Sequence, residues 1–246
     1  MRRNILITGG SAGLGAEMAR QFAAKGHNLV LTARREDRLK TLRDELTADH
    51  PAIKVVVRQL DVTDHDQVFE VFRTADADIG GLDRVIVNAG IGKGTPIGTG
   101  RFDANLATTM TNYVAALAQA EAAMELFRAR NAGHLVLISS MAGVRGAPRA
   151  MTAYSASKAA IAALGEGLQV ELLGKPIKVS VIQPGYIKSD LNGGAGKFVV
   201  DTVPGVRAIV AAIEAEQARA AVPSWPWRPL RMVLKVVPVS VLKRMI

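Results

Sequence analysis

The chain has 246 residues, 49% hydrophobic and 22% charged, which suits one sizeable core and excludes global disorder. Zero cysteines exclude disulfides, thiolate metal ligands and cysteine nucleophiles. The formal charge of +9 is local, because no acid follows Glu216, whereas Arg219, Arg228, Arg231, Lys235, Lys243 and Arg244 do. Taken as a whole-chain property that charge would point to nucleic acid; its placement moves the question to the tail.

Residues 4–8 read as a strand and 13–25 as a helix, with Leu14, Met18 and Phe22 on one face. A second strand over 28–33 precedes a helix over 36–48, whose Leu39, Leu42 and Leu46 share a side. A third strand over 53–60 leads to a helix over 64–78, with Val68, Val71 and Phe72 marking its buried side. Short strands at 85–88 and 135–139 flank a long helical stretch over 103–130, and a helix over 153–173 leads to a strand over 178–183. Residues 203–215 read as a further helix. Strands alternating with long helices imply right-handed crossovers, hence an α/β doubly wound domain with a parallel sheet flanked by helices. The expected division is a domain over 1–222 and a Pro/Trp-rich, basic amphipathic tail over 223–246.

No signal-peptide core is evident, since only Ile5, Leu6 and Ile7 precede Thr8-Gly9-Gly10. The uncharged run over 104–120 carries too many Asn, Thr and Gln residues to span a bilayer. The expected location is the cytoplasm.

Thr8-Gly9-Gly10-Ser11-Ala12-Gly13-Leu14-Gly15 follows the first strand. Glycines there let a pyrophosphate approach the backbone, and the next helix presents free N–H groups and its positive dipole end. The spacing is not G-x-G-x-x-G, so an ordinary strand-to-helix turn remains the other reading. The second strand ends in Arg34-Arg35, where NAD-binding folds place an acid for the ribose hydroxyl. Guanidinium groups there favour a 2′-phosphate, and therefore NADP(H); pairing with Glu36 and Asp37 is the bland alternative. Tyr154 and Lys158 lie four apart, on one helix face, and a neighbouring ammonium is expected to lower the phenol pKa toward acid–base work.

Thr8-Gly9-x3-Gly13-x-Gly15, Asp61-Val62, Asn88-Ala89-Gly90, Asn112, Ser139-Ser140, Tyr154-x3-Lys158 and Pro184-Gly185, in that order, resemble the short-chain dehydrogenase/reductase family across about residues 4–190. The resemblance implies a single Rossmann-type domain and an NADP(H)-dependent exchange of a carbonyl for a secondary alcohol. It makes Tyr154 the proton donor and acceptor and Ser140 the hydrogen-bond partner of the reacting oxygen. Lys158 would hold the nicotinamide ribose, and Asn112 a water leading from Lys158 to solvent. Cofactor contacts fall to Gly9, Ser11, Gly13, Leu14 and Gly15, to Arg34 and Arg35, and to Asp61 and Val62 at adenine. Asn88, Ala89 and Gly90 would pass behind the cofactor. Pro184, Gly185, Ile187 and Ser189 would line its nicotinamide end, Ser189 replacing the usual threonine. Ser140 stands 14 residues before Tyr154, one more than the family spacing, which leaves Ser139 as the alternative.

No metal site is expected, because His27, His50, His65 and His134 lack ligand spacing. In the tail, Leu230, Val233, Leu234 and Val237 form an expected apolar face and Arg228, Arg231 and Lys235 a basic one, beside both tryptophans. That profile fits a membrane surface, and equally an arm packed on a neighbouring subunit or over the substrate mouth. Nucleic acid is not an expected partner, since no basic-aromatic platform is visible. The leading expectation is a reductase of bulky, hydrophobic or lipid-like carbonyl compounds, acting as a homodimer or homotetramer; the alternative is a dinucleotide-binding regulatory or scaffold protein without turnover.

Overall fold

Apolar runs that bury both faces form a seven-stranded parallel sheet in the order β3-β2-β1-β4-β5-β6-β7. The computed structural model describes residues 2–92, 94–188 and 198–245. Ser189 and the glycine-rich stretch 192–197 lie outside the described residues. In chain order the elements begin β1 Asn4–Thr8, α1 Gly13–Ala23, β2 Asn28–Ala33, α2 Glu36–Asp49, β3 Val55–Gln59, α3 His65–Ile79 and β4 Arg84–Val87. Then come α4 Phe102–Thr109, a π turn at Met110–Val114, α5 Ala115–Arg130, β5 Gly133–Ile138, a 3₁₀ turn at Met141–Gly143, α6 Met151–Glu171 and β6 Ile177–Pro184. The chain closes with α7 Thr202–Glu214, β7 Arg219–Val222, α8 Ser224–Val236 and α9 Val239–Met245.

Alternation along each strand feeds two cores. Ile5, Ile7, Leu29 and Leu31 face α1, α2 and α7, whereas Leu6, Val30, Val85 and Leu135 face α3, α5 and α6. Two sequence expectations need amendment. The stretch over 103–130 is not one regular helix, because the π turn interrupts it at Met110–Val114. The second is an addition: residues 219–222, to which the sequence pattern assigns no element, form β7, which pairs in parallel with β6 from Val181↔Arg219 to Pro184↔Val222.

At the end of the sheet opposite the strand carboxyl termini lies a buried polar group. Arg84, 2% exposed, donates from Nε to His134 Nδ1 at 2.9 Å. His134 must therefore accept at Nδ1, which leaves Nε2 to donate to Ser180 Oγ at 2.8 Å. Burial, with the Arg84 charge beside it, holds His134 down to about 2. Above the ordinary histidine value neither the folded nor the unfolded chain protonates this ring. Below it only the unfolded chain does, so folding stability falls as pH drops from about 6.5 toward the folded value. Gln in its place can still accept from Arg84 and donate to Ser180 but cannot titrate. Urea unfolding at about pH 7.5 and about pH 5 should show His134→Gln losing less stability than wild type, by up to about 1.4 kcal/mol per pH unit below 6. Parallel losses in both proteins would exclude His134 as the titrating group.

Candidate active site

The strand order reverses between β1 and β4, and a crevice opens there at the strand carboxyl ends. Thr8, fully buried at the end of β1, spans it: its hydroxyl accepts from the N–H groups of Asn88 (3.0 Å) and Ala89 (3.1 Å). Asn88 returns a bond from Nδ2 to the Thr8 carbonyl at 2.9 Å. The turn that follows is built from close backbone approaches. Gly9 has φ +66°, and a Cβ on Gly15 would lie 2.2 Å from the Gly9 carbonyl oxygen. Only glycine fits both positions, so the first turn of α1 presents bare backbone to the crevice. Among the described residues neither Arg34 nor Arg35 forms an ion pair; Glu36 pairs with Lys40 at 3.0 Å instead. Both arginines are exposed, and Arg35 reaches over the glycine turn, donating to Ser11 Oγ at 3.2 Å.

Asp61, after β3, accepts at Oδ1 from the N–H (3.0 Å) and hydroxyl (2.8 Å) of Thr63. Burial opposes its ionisation, but the Thr63 bonds and the Arg34 charge hold the carboxyl below its ordinary value. The cap of α3 is Asp64, which accepts from Gln67 N–H at 3.0 Å, so Asp61 has no capping duty there. Val62, 8% exposed, packs in the core beneath.

The π turn aims Asn112, fully buried, at the segment that follows β4. Its Oδ1 accepts from Ile91 N–H (2.8 Å) and its Nδ2 donates to the Ile91 carbonyl (2.9 Å), with a longer contact to Ser157 Oγ (3.4 Å). Gly90 touches both partners, since a Cβ there would lie 3.0 Å from Asn112 Oδ1 and 3.6 Å from Lys158 Nζ. Lys158, buried, donates to the Ile138 carbonyl at 3.0 Å, and burial pushes it down to about 8. Its Nζ sits 5.9 Å from the centre of the Tyr154 ring.

Ser139 and Ser140 are separated by their partners. Ser139 Oγ donates to the Lys158 carbonyl at 2.7 Å inside the core, which ties β5 to α6. Ser140 Oγ accepts from Ala142 N–H at 3.1 Å, and the Ser140 side chain is near enough to the Tyr154 phenol to favour its ionisation. The phenol itself departs from expectation. Burial, with Tyr186 adding to it, raises Tyr154 above its ordinary value against the lowering effect of Ser140. Spacing brings Lys158 close, but both groups are desolvated and the phenol stays protonated at neutral pH.

Pro184 ends β6, and Gly185 donates its N–H to the Val222 carbonyl at 2.9 Å. Ile187, 2% exposed, pairs with Val200. Sequence reasoning missed Trp227. Its indole lies so close over Gly185 that a Cβ there would fall 2.0 Å from the ring. Tyr186 and Phe198 meet the same indole edge-on at 5.5 and 6.4 Å. Trp227 is 5% exposed, packs with Met141 and Ala221, and its N–H finds no partner among the described residues. The only sequence signal was a tryptophan in a Pro-rich turn, which does not say what it covers. Among the described residues no group of acidic and histidine side chains has metal-binding geometry.

Residues 3–198 match the family described as short chain dehydrogenase. The chain is 53% identical to an uncharacterized oxidoreductase of Mycobacterium tuberculosis, over 99% of this chain and 97% of that one. It is similar in structure to the bulky-bulky ketone specific alcohol dehydrogenase of Comamonas testosteroni, with 29% identity, TM-score 0.80 and coverage of 99% and 94%. A short-chain dehydrogenase of Sphingobium yanoikuyae, solved with NADPH, is similar at 26% identity, TM-score 0.82 and coverage of 99% and 96%. With the crevice, the Tyr154–Lys158 face and these likenesses together, the chain belongs to the short-chain dehydrogenase/reductase family of oxidoreductases.

Proposed function

We propose that this oxidoreductase is an NADP(H)-dependent carbonyl reductase in which Tyr154 delivers the proton. The observation that carries the reading is the half-buried Tyr154 side chain with the Lys158 ammonium 5.9 Å from its ring centre and Ser140 beside its phenol. A phenol that keeps its proton at neutral pH is in the donor form; its raised pKa by itself opposes transfer, which the developing negative charge on the carbonyl oxygen and the nearby Lys158 ammonium favour. Ser140 hydrogen-bonds the same oxygen, and Lys158 favours the phenolate left behind, which Asn112 reconnects to solvent through a water. In the reverse direction the phenolate takes the alcohol proton. A nicotinamide nucleotide supplies or removes the hydride when bound.

The residues present fit such a cofactor. Gly9, Ser11, Gly13, Leu14 and Gly15 offer a turn without side-chain obstruction to the pyrophosphate, and the unpaired Arg34 and Arg35 suit a 2′-phosphate. Asp61 and Val62 would flank adenine, Asn88, Ala89 and Gly90 would back the ribose, and Pro184, Gly185, Ile187 and Ser189 would meet the nicotinamide. The Sphingobium neighbour's NADPH supports the same choice. Apolar side chains beside Gly185, namely Tyr186, Phe198 and Trp227, favour a bulky hydrophobic carbonyl compound, in keeping with the Comamonas neighbour's preference. We infer a homodimer or homotetramer through the helices over 103–130 and 153–173, where Leu106, Val170 and Leu173 are exposed.

Tyr154→Phe should cut NADPH-dependent reduction at least about a hundredfold with the fold intact. Ser140→Ala should lose activity with little stability, and Ser139→Ala should lose about 1 kcal/mol of stability while keeping turnover. Unchanged reduction by Tyr154→Phe, or NADPH bound but never consumed across a carbonyl panel, would favour the binding-protein alternative. Arg34→Ala should weaken NADPH about tenfold or more, through the lost charge-assisted bonds, and leave NADH nearly unaffected. Equal losses for the two nucleotides would refute the 2′-phosphate role.

For the tail we infer contact with an anionic lipid surface. Residues on the outer side of α8 and on α9 are apolar and exposed, Met232 at 64%, Val236 at 80% and Val239 at 70%. The cations Arg228, Lys235 and Lys243 accompany them without an acid. No described helix is long and apolar enough to cross a membrane. Co-sedimentation with phosphatidylglycerol vesicles should fall sharply in Met232→Ser/Val236→Ser, and unaltered sedimentation would remove the role.

A further inference from the structure

A second site lies outside the crevice, where the tail helix meets the domain. A cavity of about 230 Å³ opens between α6, the start of β7 and one flank of α8. Ala159, Ala162 and Ala163 of α6 form its apolar floor, and Gly143 and Val144 close one end. Its polar lining is Arg219, Arg231, Lys235, Glu166 and Gln183, three cations to one carboxylate. That carboxylate is committed and peripheral: Glu166 pairs with Arg219 at 2.7 Å and its side chain is 63% exposed. Among the described residues, Arg231 and Lys235 form no ion pair.

Two of the residues lining this cavity each hold a buried polar atom without a hydrogen-bond partner among the described residues, the Nε donor of Arg231 and the Oε1 acceptor of Gln183. Gln183 is 2% exposed, so bulk water does not reach it freely. An unmet donor and acceptor on residues that line one cavity, with uncompensated cations around them, is an unfinished set of hydrogen bonds. Arg231 shows the strain of the arrangement, since burial and the Arg219 charge push it below its ordinary value, with Glu166 opposing. An oxyanion suits this lining: its charged oxygens can take guanidinium and ammonium donors of Arg231 and Lys235, and a shift of the Gln183 amide would let a ligand O–H reach its oxygen.

We propose that this cavity is a binding site for a phosphate-class oxyanion that clamps the tail helix to the domain. The clamp has a structural lever on the active site. Arg145, just beyond the Met141–Gly143 turn, donates to the carbonyls of Val237 (3.0 Å) and Lys235 (3.4 Å), the last turn of α8. The same helix carries Trp227 onto Gly185, and α6 carries Tyr154 and Lys158. An anion between α6 and α8 therefore joins the helix that holds the proton donor to the helix that covers the nicotinamide end. The ligand is a phosphate monoester or hydrogen phosphate, drawn either from solution or from a lipid headgroup. The inference stands apart from carbonyl turnover and survives if that reading fails.

The test is titration of the full-length protein with inorganic phosphate at constant ionic strength, potassium chloride making up the balance. Thermal stability and the fluorescence of Trp227, read in a Trp225→Phe background, are followed. A saturable rise in Tm and a saturable Trp227 change are expected, and both should persist in Arg34→Ala/Arg35→Ala. Arg231→Gln/Lys235→Gln should weaken the half-saturation roughly tenfold or more. Should that double variant fail to fold, Lys235→Gln alone, altering an exposed side chain, should still weaken it severalfold. Equal responses to phosphate and chloride, or an unaltered response in the Arg231 and Lys235 variants, would overturn the proposal. Vesicles separate the sources: binding to phosphatidic acid, a phosphate monoester, that inorganic phosphate competes away, and that phosphatidylcholine does not reproduce, assigns the headgroup. A saturable phosphate response without such competition assigns a soluble phosphate compound.

Discussion

The molecule depends on a gap between two parallel strands that run in opposite order from it. Beyond their carboxyl ends β1 and β4 would drift apart, because their onward connections leave toward opposite faces of the sheet. The buried Thr8 hydroxyl holds them at a set distance by accepting two backbone N–H groups from the β4 side. Removing that hydroxyl would leave both donors unmet in the interior, which costs more than the bonds themselves contribute. With the gap held, Gly9 and Gly15 can approach each other, Asn88 can reach back to Thr8, and α1 starts with its N–H groups facing the crevice. The residues proposed to act on substrate come from the far side of the same gap, on β5, α6 and the π turn.

How much of this the sequence discloses depends on whether local pattern or distant partner decides the outcome. β1 and β2 were readable to the residue because their apolar runs are bounded by Asn and by glycine or arginine, and both faces are buried. β7 was not, since Arg219-Ala-Ala-Val has little strand character and becomes strand by pairing with β6. The π turn carries no marker in Met110–Val114; Asn112 turns inward because Ile91 offers it a backbone donor and acceptor. In the tail, the expected apolar face included Val233, which is 45% exposed, whereas Trp227, Leu230 and Leu234 make the inward contacts. At about 100° per residue those three share one side of α8, a register chosen by the fit of Trp227 over Gly185. Tyr154 and Lys158 were legible as a pair from their spacing. The direction of the phenol shift was not, because spacing reports proximity and burial sets solvation.

Two buried cations show how the fold distributes that desolvation. Arg84 and Lys158 both lose water and both lose basicity, to about 10 and about 8. Arg84 is held by His134, which accepts from Nε, and by the Ile213 carbonyl, which accepts from Nη2 at 3.4 Å, while its buried Nη1 has no hydrogen-bond partner among the described residues. It sits at the amino-terminal end of the strands, where it links β4 and β5 to the end of α7. Lys158 has one carbonyl, from Ile138, and a phenol ring beside it. A cation at the crevice is placed to meet ligand hydroxyls, whereas one buried at the opposite end of the sheet is placed to hold strands together. The same residue chemistry is structural at one end of the sheet and available at the other.

The tail extends this contrast to the surface. An acid-free segment could not fold back on a basic domain without repulsion unless something offset it, and three devices are visible. Trp227 supplies apolar burial over Gly185, Arg145 neutralises the carbonyl end of α8, and Glu166 pairs with Arg219. Arg231 and Lys235 remain outside these arrangements, on the flank facing α6. Among the described residues Arg219 is the one tail cation in an ion pair; Arg231 and Lys235 line one cavity, while Arg228 and Lys243 lie with the exposed apolar side chains. Uncompensated charge beside unmet buried hydrogen-bonding atoms is costly in a tail that has only a short apolar contact to hold it. The register of α8, and with it the position of Trp227 at the substrate end of the crevice, depends on how that residual charge is met.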